Sequence, residues 1–592
     1  KQLGGFPERT ALNARVVESG ERPLLRYEKV IFESRPNHFV TAILCLPKTP
    51  GPWPGVIVPC GHSKNGKASD MYQRAARLLA ANGMASLCYD PIGQGERYAY
   101  LKEDGTNEFS STLEHTLLGV GAILTGTNTA AYRIWDGMRA IDYLQSRDDI
   151  IKDKIGCTGN SGGGTLTSYL MALDERIVCA APSCYLTSLD RLLNTIGAQD
   201  AEQNIFGQIA FGMDHADYIH MRAPKPTLMC TATLDFFDIS GSWDTFREAK
   251  RLYTRFGFAE RVDLIEYDAK HGFNQPLREG AARWMSRWLL EQDRVILEPE
   301  FTPFTDEEAQ CSPDGQVMLM DNALSVLDLN AMRADQLKEK RTAFLKASGD
   351  EEVRNKVKEL IAYTETSPWP EFAQVEVITE GDVTYETFQI KPEDGVVLPA
   401  ILATPKEFSG DYILVLHESG KSAVFDKNGM GAEMLKAGHA VFAVDLRGMG
   451  ETQGSQSPNG WHPYVGSDWK DYFTAYLLGK NYVGMRVTDI HAVTGWLKAK
   501  YKDARSHSVH LMATDNATVP ALHAAVLYPD LFSHITLKDG IPSWEEVVKT
   551  PRAKCQLINA VHDALSWYDL PDLMALLPKE KIEIVNAHVP VF

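Results

Sequence analysis

The chain lacks several features at once, and each absence removes a class of protein. No run approaches the ~20 consecutive apolar residues that a membrane span needs, so no span is expected. Basic residues are short of acidic ones, 60 Lys and Arg against 78 Asp and Glu, for a formal net charge of −18. A surface of that sign repels a phosphate backbone, so no nucleic-acid partner is expected. Only nine cysteines are spread over 592 residues, and Cys60, Cys88, Cys157, Cys179 and Cys230 lie inside strand-like apolar runs. That is the usage of small buried hydrophobes, so neither a disulfide framework nor a metal site is expected. The chain opens at Lys1 without an initiator Met or an apolar leader. A mature or trimmed form fits that start, with periplasmic or secreted placement preferred and a cytoplasmic one left open.

What is present is ordinary in composition and unusual in layout. Apolar residues make up 44% and charged residues 23%, a globular balance, and the length calls for more than one core. Short β-rich runs alternate with helical segments, which predicts mostly parallel sheet flanked by helices. The pattern also occurs twice. SLCYDPIGQGER around Asp90 matches VFAVDLRGMGET around Asp445, 355 residues on. YRIWDGMRAIDYL around Asp136 matches GMRVTDIHAVTGWL around Asp489 at 353, and KIGCTGNSGGGT around Ser161 matches SVHLMATDNATV around Asp515 at 354. Near the end IEYDAKH matches IEIVNAH at only 317, so the second unit is shorter by about 37 residues beyond its Asp515 turn. Two related α/β domains are expected, at 1–300 and 365–592. A helical connector at 301–364 is broken at Ser348-Gly349-Asp350, and SPWPEF from Ser367 turns into the second domain.

The chemistry concentrates in the first unit. Gly159-Asn160-Ser161-Gly162-Gly163 follows the apolar strand KIGCT and precedes the helical run TLTSYLMAL. That is the setting of a nucleophile elbow, where a serine rides a sharp strand-to-helix turn and small neighbours let backbones close in. A serine hydroxyl needs a base, and the base an orienting acid. His271 directly follows the last strand-like run of the unit, and Asp235 is the first acid after the strand PTLMCTATL. Asp238, one short step later, reads as a helix cap. The backbone N–H of Gly162 and one from the turn Gly61-His62-Ser63 are the expected oxyanion donors. The His62 side chain reads equally as a substrate contact or as a packed histidine. The glycine-rich loop Asp90–Arg97 lacks the Lys-Ser/Thr pair of a phosphate cradle. It reads as a turn at the cleft rim that offers Arg97 to substrate. Arg133 is a second candidate contact, with a structural ion pair as its alternative.

GGFPERTALN, VIFESRPNHFVTAILCLP, GHSKNGK, YDPIGQGER, WDGMRAIDYL, GNSGGG, DFFD and KHGF together resemble the acetyl xylan esterase-like branch of the α/β-hydrolases. That branch lies near the dienelactone-hydrolase and carbohydrate-esterase groups, and the resemblance covers nearly all of 1–290. It implies a cofactor-free serine esterase acting on an acetylated polysaccharide or oligosaccharide, with Ser161, Asp235 and His271 as triad. A methyl esterase of pectin or another uronic acid is the near alternative; a serine peptidase and a non-catalytic glycan-binding protein are the distant ones. Glucuronoyl esterases are related, but they carry Arg and Lys after the serine where this chain has Gly162, Gly163 and Gly164. In the second unit Asp515 stands in the serine's place and Ala513 and Ala517 replace the flanking glycines. That domain is expected to be catalytically degenerate, although His588 is kept and Asp563 or His562 lies near the acid position. The sequence does not indicate an oligomeric state.

Overall fold

The structure is a computed structural model that describes residues 2–365, 370–427, 429–454, 459–501 and 509–592. Ser367–Trp369, the start of the expected entry turn, lie outside the described residues. The chain divides into two compact units, 1–118 with 128–326, and 119–127 with 327–592.

The first unit is built on nine strands: β1 Arg15–Arg22, β2 Leu25–Arg35, β3 His38–Pro47, β4 Trp53–Pro59, β5 Ala85–Tyr89, β6 Ile150–Asn160, β7 Ile177–Ser183, β8 Thr227–Leu234 and β9 Val262–Lys270. Their order is β1-β2-β3-β5-β4-β6-β7-β8-β9. From β5 through β9 all neighbours are parallel, whereas β1, β2 and β3 join antiparallel at one edge. β4 and β5 are buried along their whole length. They read as unbroken apolar runs because helices cover both faces of a parallel sheet. Two apolar layers result. One packs Ile57, Leu87 and Cys157 with Ile134, Trp135 and Leu170; the other packs Val56, Val58 and Cys88 with Leu78, Leu277 and Met285. Each such aliphatic side chain contributes about 1.5–3 kcal/mol on burial. Cys60, Cys88, Cys157, Cys179 and Cys230 are buried free thiols.

The second unit holds eight strands: β10 Glu371–Glu380, β11 Val383–Lys391, β12 Leu398–Pro405, β13 Tyr412–Leu416, β14 Ala440–Val444, β15 Val509–Thr514, β16 His534–Lys538 and β17 Ile582–Val585. Their order, β10-β11-β12-β14-β13-β15-β16-β17, follows that of the first unit position by position, one strand short. The helices Val326–Ala347 and Asp350–Leu360 precede it and are interrupted at Ser348-Gly349.

Both units contain the same buried clasp. In the first, the Lys67 amide donates to Asp90 Oδ1 at 2.7 Å, and its Nζ donates to Asp90 Oδ2 at 2.7 Å and to Glu96 Oε1 at 2.5 Å. In the second, the Lys421 amide donates to Asp445 Oδ1 at 2.5 Å, and its Nζ donates to Asp445 Oδ2 at 2.8 Å and to Glu451. Gly95 (φ 58°) and Gly450 (φ 55°) press against the two aspartates, where a Cβ would lie 2.3 and 2.4 Å from Oδ1. Only glycine fits that approach with a left-handed backbone. The glycine-rich loop is thus folded around a buried carboxylate.

Candidate active site

At the end of β6 the chain turns sharply into the helix Gly162–Leu173, and Ser161 takes the turn at φ 58° and ψ −126°. A non-glycine residue in that region is strained, and such strain persists only where the surroundings hold it. They hold it closely here. The Ser161 amide donates to the Ser183 carbonyl at 3.0 Å. A Cβ on Gly159 would lie 2.5 Å from the Pro59 carbonyl oxygen, one on Gly163 2.2 Å from that same oxygen, and one on Gly164 2.3 Å from the Ser183 oxygen. The glycines are there because three backbone segments meet at the elbow.

His271 directly follows β9, and Asp235 follows β8. Asp235 Oδ1 and Oδ2 lie 2.8 and 3.0 Å from His271 Nδ1. An ionised carboxylate only accepts, so Nδ1 carries the proton and Nε2 keeps its lone pair. Asp235 Oδ1 also accepts the Phe237 amide at 3.0 Å, and the Phe236 ring lies 4.2 Å from the imidazole. Asp238 instead caps the helix Ile239–Arg255 by accepting from the Gly241 amide at 3.1 Å. Cys184 comes next to this pair. One donor atom each from Cys184, Asp235 and His271 lies within 4.8 Å of the others. Burial, with the Asp235 carboxylate adding to it, pushes the Cys184 thiol up to about 12.

The turn after β4 meets the elbow from the other side. A Cβ on Gly61 would lie 2.2 Å from the Asn160 oxygen and 2.9 Å from Ser161 Cβ. Within this turn the Ser63 amide donates to the Gly61 carbonyl at 2.6 Å. Ser63 is therefore spent on closing the turn, which corrects its expected place among the oxyanion donors. Among the described residues, the amides of His62 and Gly162 have no such internal acceptor. Gln94, fully buried, anchors the turn from the glycine-rich loop by donating to the carbonyls of Gly61 and, at 3.2 Å, Ser63.

The His62 side chain is packed in a charged cluster. Its Nε2 lies 2.6 Å from Glu202 Oε1, and Glu202 in turn pairs with Arg133. A Cβ on Gly162 would meet that same Nε2 at 2.8 Å, so the ring lies against the elbow helix. Burial pulls His62 down to about 4, which leaves it neutral at pH 7. His115 lies behind it with Nδ1 2.8 Å from Asp200 and Nε2 2.8 Å from the Ile92 carbonyl. Burial pulls His115 down to about 4, so the neutral ring has a single N–H to offer the two acceptors.

Two expected substrate contacts are corrected. Arg97 is buried, donating to the Asp90 carbonyl at 3.0 Å and to Asp136 at 2.7 Å, with His38 Nε2 at 3.0 Å. The acid that claims it comes from a helix 39 residues downstream, which a local reading of the loop cannot show. Arg133 is buried against Glu202, so its structural alternative is the one observed. Asp200, Glu202 and His115 drew no notice in the sequence. Asp200 and Glu202 sit in irregular chain around the short turn Ala201–Gln203, with no periodicity to flag them. The Lys67 clasp had a usable signal, the recurrence of Lys, Asp and Glu at matching spacing in both halves.

Residues 17–239 match the sequence model of the acetyl xylan esterase (AXE1) family. The first unit thus resembles the acetyl xylan esterases. A Bacillus subtilis (strain 168) hydrolase, YtaP, is 25% identical over 304 residues, covering 48% of this chain and 96% of its own. Among solved structures, the methylesterase BT1017 aligns at 20% identity over 59% of this chain and 72% of its own, with a TM-score of 0.42. An acetyl xylan esterase from Paenibacillus sp. R4 aligns at 18% identity over 47% and 90%, with a TM-score of 0.34. The first unit is accordingly a hydrolase of the carboxylic ester type. No helix among the described residues is long and apolar enough to cross a membrane.

Proposed function

We propose that the first unit is a serine esterase that removes acetyl groups from a plant polysaccharide or its oligosaccharides. The observation that carries this is the Asp235–His271 pair, 2.8 Å apart, on the loops after two adjacent strands of the sheet whose β6 ends in the strained Ser161 elbow. His271 Nε2 takes the Ser161 proton as the hydroxyl attacks the ester carbonyl. Asp235 holds the tautomer and stabilises the imidazolium. The amides of Gly162 and His62 receive the oxyanion; Gly162 opens a helix, whose N-terminal dipole favours the developing charge. The sugar alcohol leaves with the proton from His271, and water then releases acetate from the serine.

The burial of Arg97 and Arg133 favours the acetyl over the uronate methyl ester, because neither guanidinium is free to pair with a neighbouring uronate. A polymeric substrate suits periplasmic or secreted placement. For the second unit we propose a non-catalytic domain derived from the same ancestor. Asp515 retains the elbow's left-handed backbone at φ 49°. However, His588 Nδ1 lies 2.9 Å from the Asn586 carbonyl, Asp563 is engaged by Ser566 and Trp567, and His562 bonds Tyr476.

The test is hydrolysis of p-nitrophenyl acetate by the wild type, Ser161→Ala and Asp515→Asn, followed by acetate and methanol release from acetylated xylan and methylated pectin. Activity lost in Ser161→Ala, kept in Asp515→Asn and read as acetate from xylan is expected. Equal rates for the wild type and Ser161→Ala would sink the serine mechanism, and methanol without acetate would replace the substrate.

A further inference from the structure

Two groups of metal-competent side chains exist among the described residues, and they differ in one decisive respect. In the His62, His115, Asp200 and Glu202 group the cation's place is taken. Arg133 pairs with Glu202 and lies 3.5 Å from His62 Nε2, and both nitrogens of His115 are committed to Asp200 and Ile92. In the Cys184, Asp235 and His271 group the only ion-pair partner of Asp235 among the described residues is His271 itself.

Cys184 is brought there by its backbone. It follows β7, takes φ 49°, and donates its amide to the Cys230 carbonyl at 2.8 Å. This turns Sγ toward the loops that carry the acid and the histidine, where it faces the Gly272 carbonyl at 3.5 Å and the Asp235 carboxylate and accepts from the Ser183 hydroxyl at 3.7 Å. The three donors are one sulfur, one imidazole nitrogen and one carboxylate oxygen. That mixture suits zinc and cobalt, whereas magnesium and calcium prefer oxygen alone. A tetrahedral zinc with bonds of about 2.0–2.3 Å spaces its ligand atoms by roughly 3.3–3.7 Å. To reach that spacing the Asp235 oxygen and His271 Nδ1, 2.8 Å apart, would part slightly, and Sγ, within 4.8 Å of the ligand atoms of both, would move in. The His271 side chain, 19% exposed, gives an ion a way in.

We propose that Cys184, Asp235 and His271 form an inhibitory site for a thiophilic divalent cation such as Zn²⁺. Binding forms one bond each to Sγ, Nδ1 and a carboxylate oxygen. The thiol proton leaves to water, and the imidazole exchanges its Nδ1 proton for one on Nε2. The ion's two charges are then matched by one thiolate and one carboxylate, so the site closes neutral. With Nε2 protonated, the ring has no lone pair for the serine's proton, and hydrolysis stops. The inhibition rests on the triad reading above; the metal site does not.

The full chain is titrated with Zn²⁺, and separately with Mg²⁺, during p-nitrophenyl acetate hydrolysis, each variant normalised to its own metal-free rate. Inhibition by Zn²⁺ alone is expected, with the midpoint raised at least tenfold in Cys184→Ala. Equal midpoints in the wild type and Cys184→Ala, or equal inhibition by Mg²⁺, would overturn the proposal. The second readout is independent of turnover. Co²⁺ should give a near-ultraviolet thiolate charge-transfer band that Cys184→Ala abolishes and Asp235→Asn weakens, with thermal unfolding to verify that both variants fold. A band that survives Cys184→Ala overturns the site. A band lost as expected, in an enzyme whose turnover ignores Zn²⁺, keeps the site and overturns the assignment of His271 as base.

Discussion

Gly163→Ala tests the elbow directly, because the added atom would strike the backbone of the turn that carries the proposed second oxyanion donor. A Cβ there would lie 2.2 Å from the Pro59 carbonyl oxygen and 3.0 Å from the Gly61 amide nitrogen, where ordinary contact begins at 3.4 Å. No flexible side-chain end can yield, so the β4 turn and the elbow helix must separate by about 1 Å, a displacement of the size that costs ~10²-fold when reacting groups are misplaced. Losing a single oxyanion donor outright costs ~10²–10³ in kcat. The expected outcome is therefore a 10²–10³-fold fall in kcat on p-nitrophenyl acetate. Overpacking should cost about 1–3 kcal/mol of stability, which leaves the variant folded for assay. Gly257→Ala serves as the control, since its Cβ would meet nothing within 4 Å and its φ of 83° exacts only backbone strain. A folded Gly163→Ala enzyme within threefold of wild-type kcat would refute the claim that this close approach sets the oxyanion donors.

Asp235→Asn should lower kcat by about 10⁴ through the wrong imidazole tautomer. Asp238→Ala should leave kcat in place and cost about 1 kcal/mol as a lost cap; steady-state kinetics beside thermal melts separates the two, and a larger kinetic loss in Asp238→Ala would reverse the assignment. Lys67→Met leaves Asp90 and Glu96 buried without a cation and should cost about 3–5 kcal/mol in urea unfolding. Lys421→Met should cost less, because the Glu451 side chain is 65% exposed and can turn to water; equal costs would contradict the burial argument. Burial pushes the Glu114 carboxyl up to about 8, against two backbone amides that favour its ionised form. The folded state then keeps a proton that the unfolded chain releases above the usual 4.5. The contribution is complete below that pH and is lost as pH rises toward 8, by at most about 1.4 kcal/mol per pH unit. Glu114→Gln should flatten this slope in melts between pH 5 and 8, and an unchanged slope would show that Glu114 titrates normally.

The strained turn at Ser161 and the pairing of Asp235 with His271 were legible in the sequence because such positions follow from chain geometry. A turn that brings three backbones together demands glycines, and a parallel sheet presents its loops in a fixed order. The mostly parallel sheet was legible as alternation of strands and helices, whereas its strand order was not. Arg97 was misread because its partner Asp136 is fixed by tertiary packing and not by spacing. Ser63 was misread because a one-residue closure onto Gly61 leaves no signature in residue type. Cys184, buried behind the pair, reads in sequence as one more small hydrophobe, although its backbone angle sets it apart from a strand residue.

On the proposed common descent of the two units, the contrast between the two sheets accounts for a clasp kept twice and an elbow kept once. The Lys67 and Lys421 clasps organise the loop after the strand next to β4 or β13, and they depend only on strands present in both units. The acid of the proposed triad instead hangs on the loop after β8, which lies between β7 and β9. In the second unit β17 pairs directly with β16, so no strand stands between them to carry such a loop. Without an acid there, a serine at position 515 would have no oriented base to activate it, and the close approach guarded by Gly159 and Gly163 would serve no oxyanion. The clasp, by contrast, holds a fold that the chain still needs.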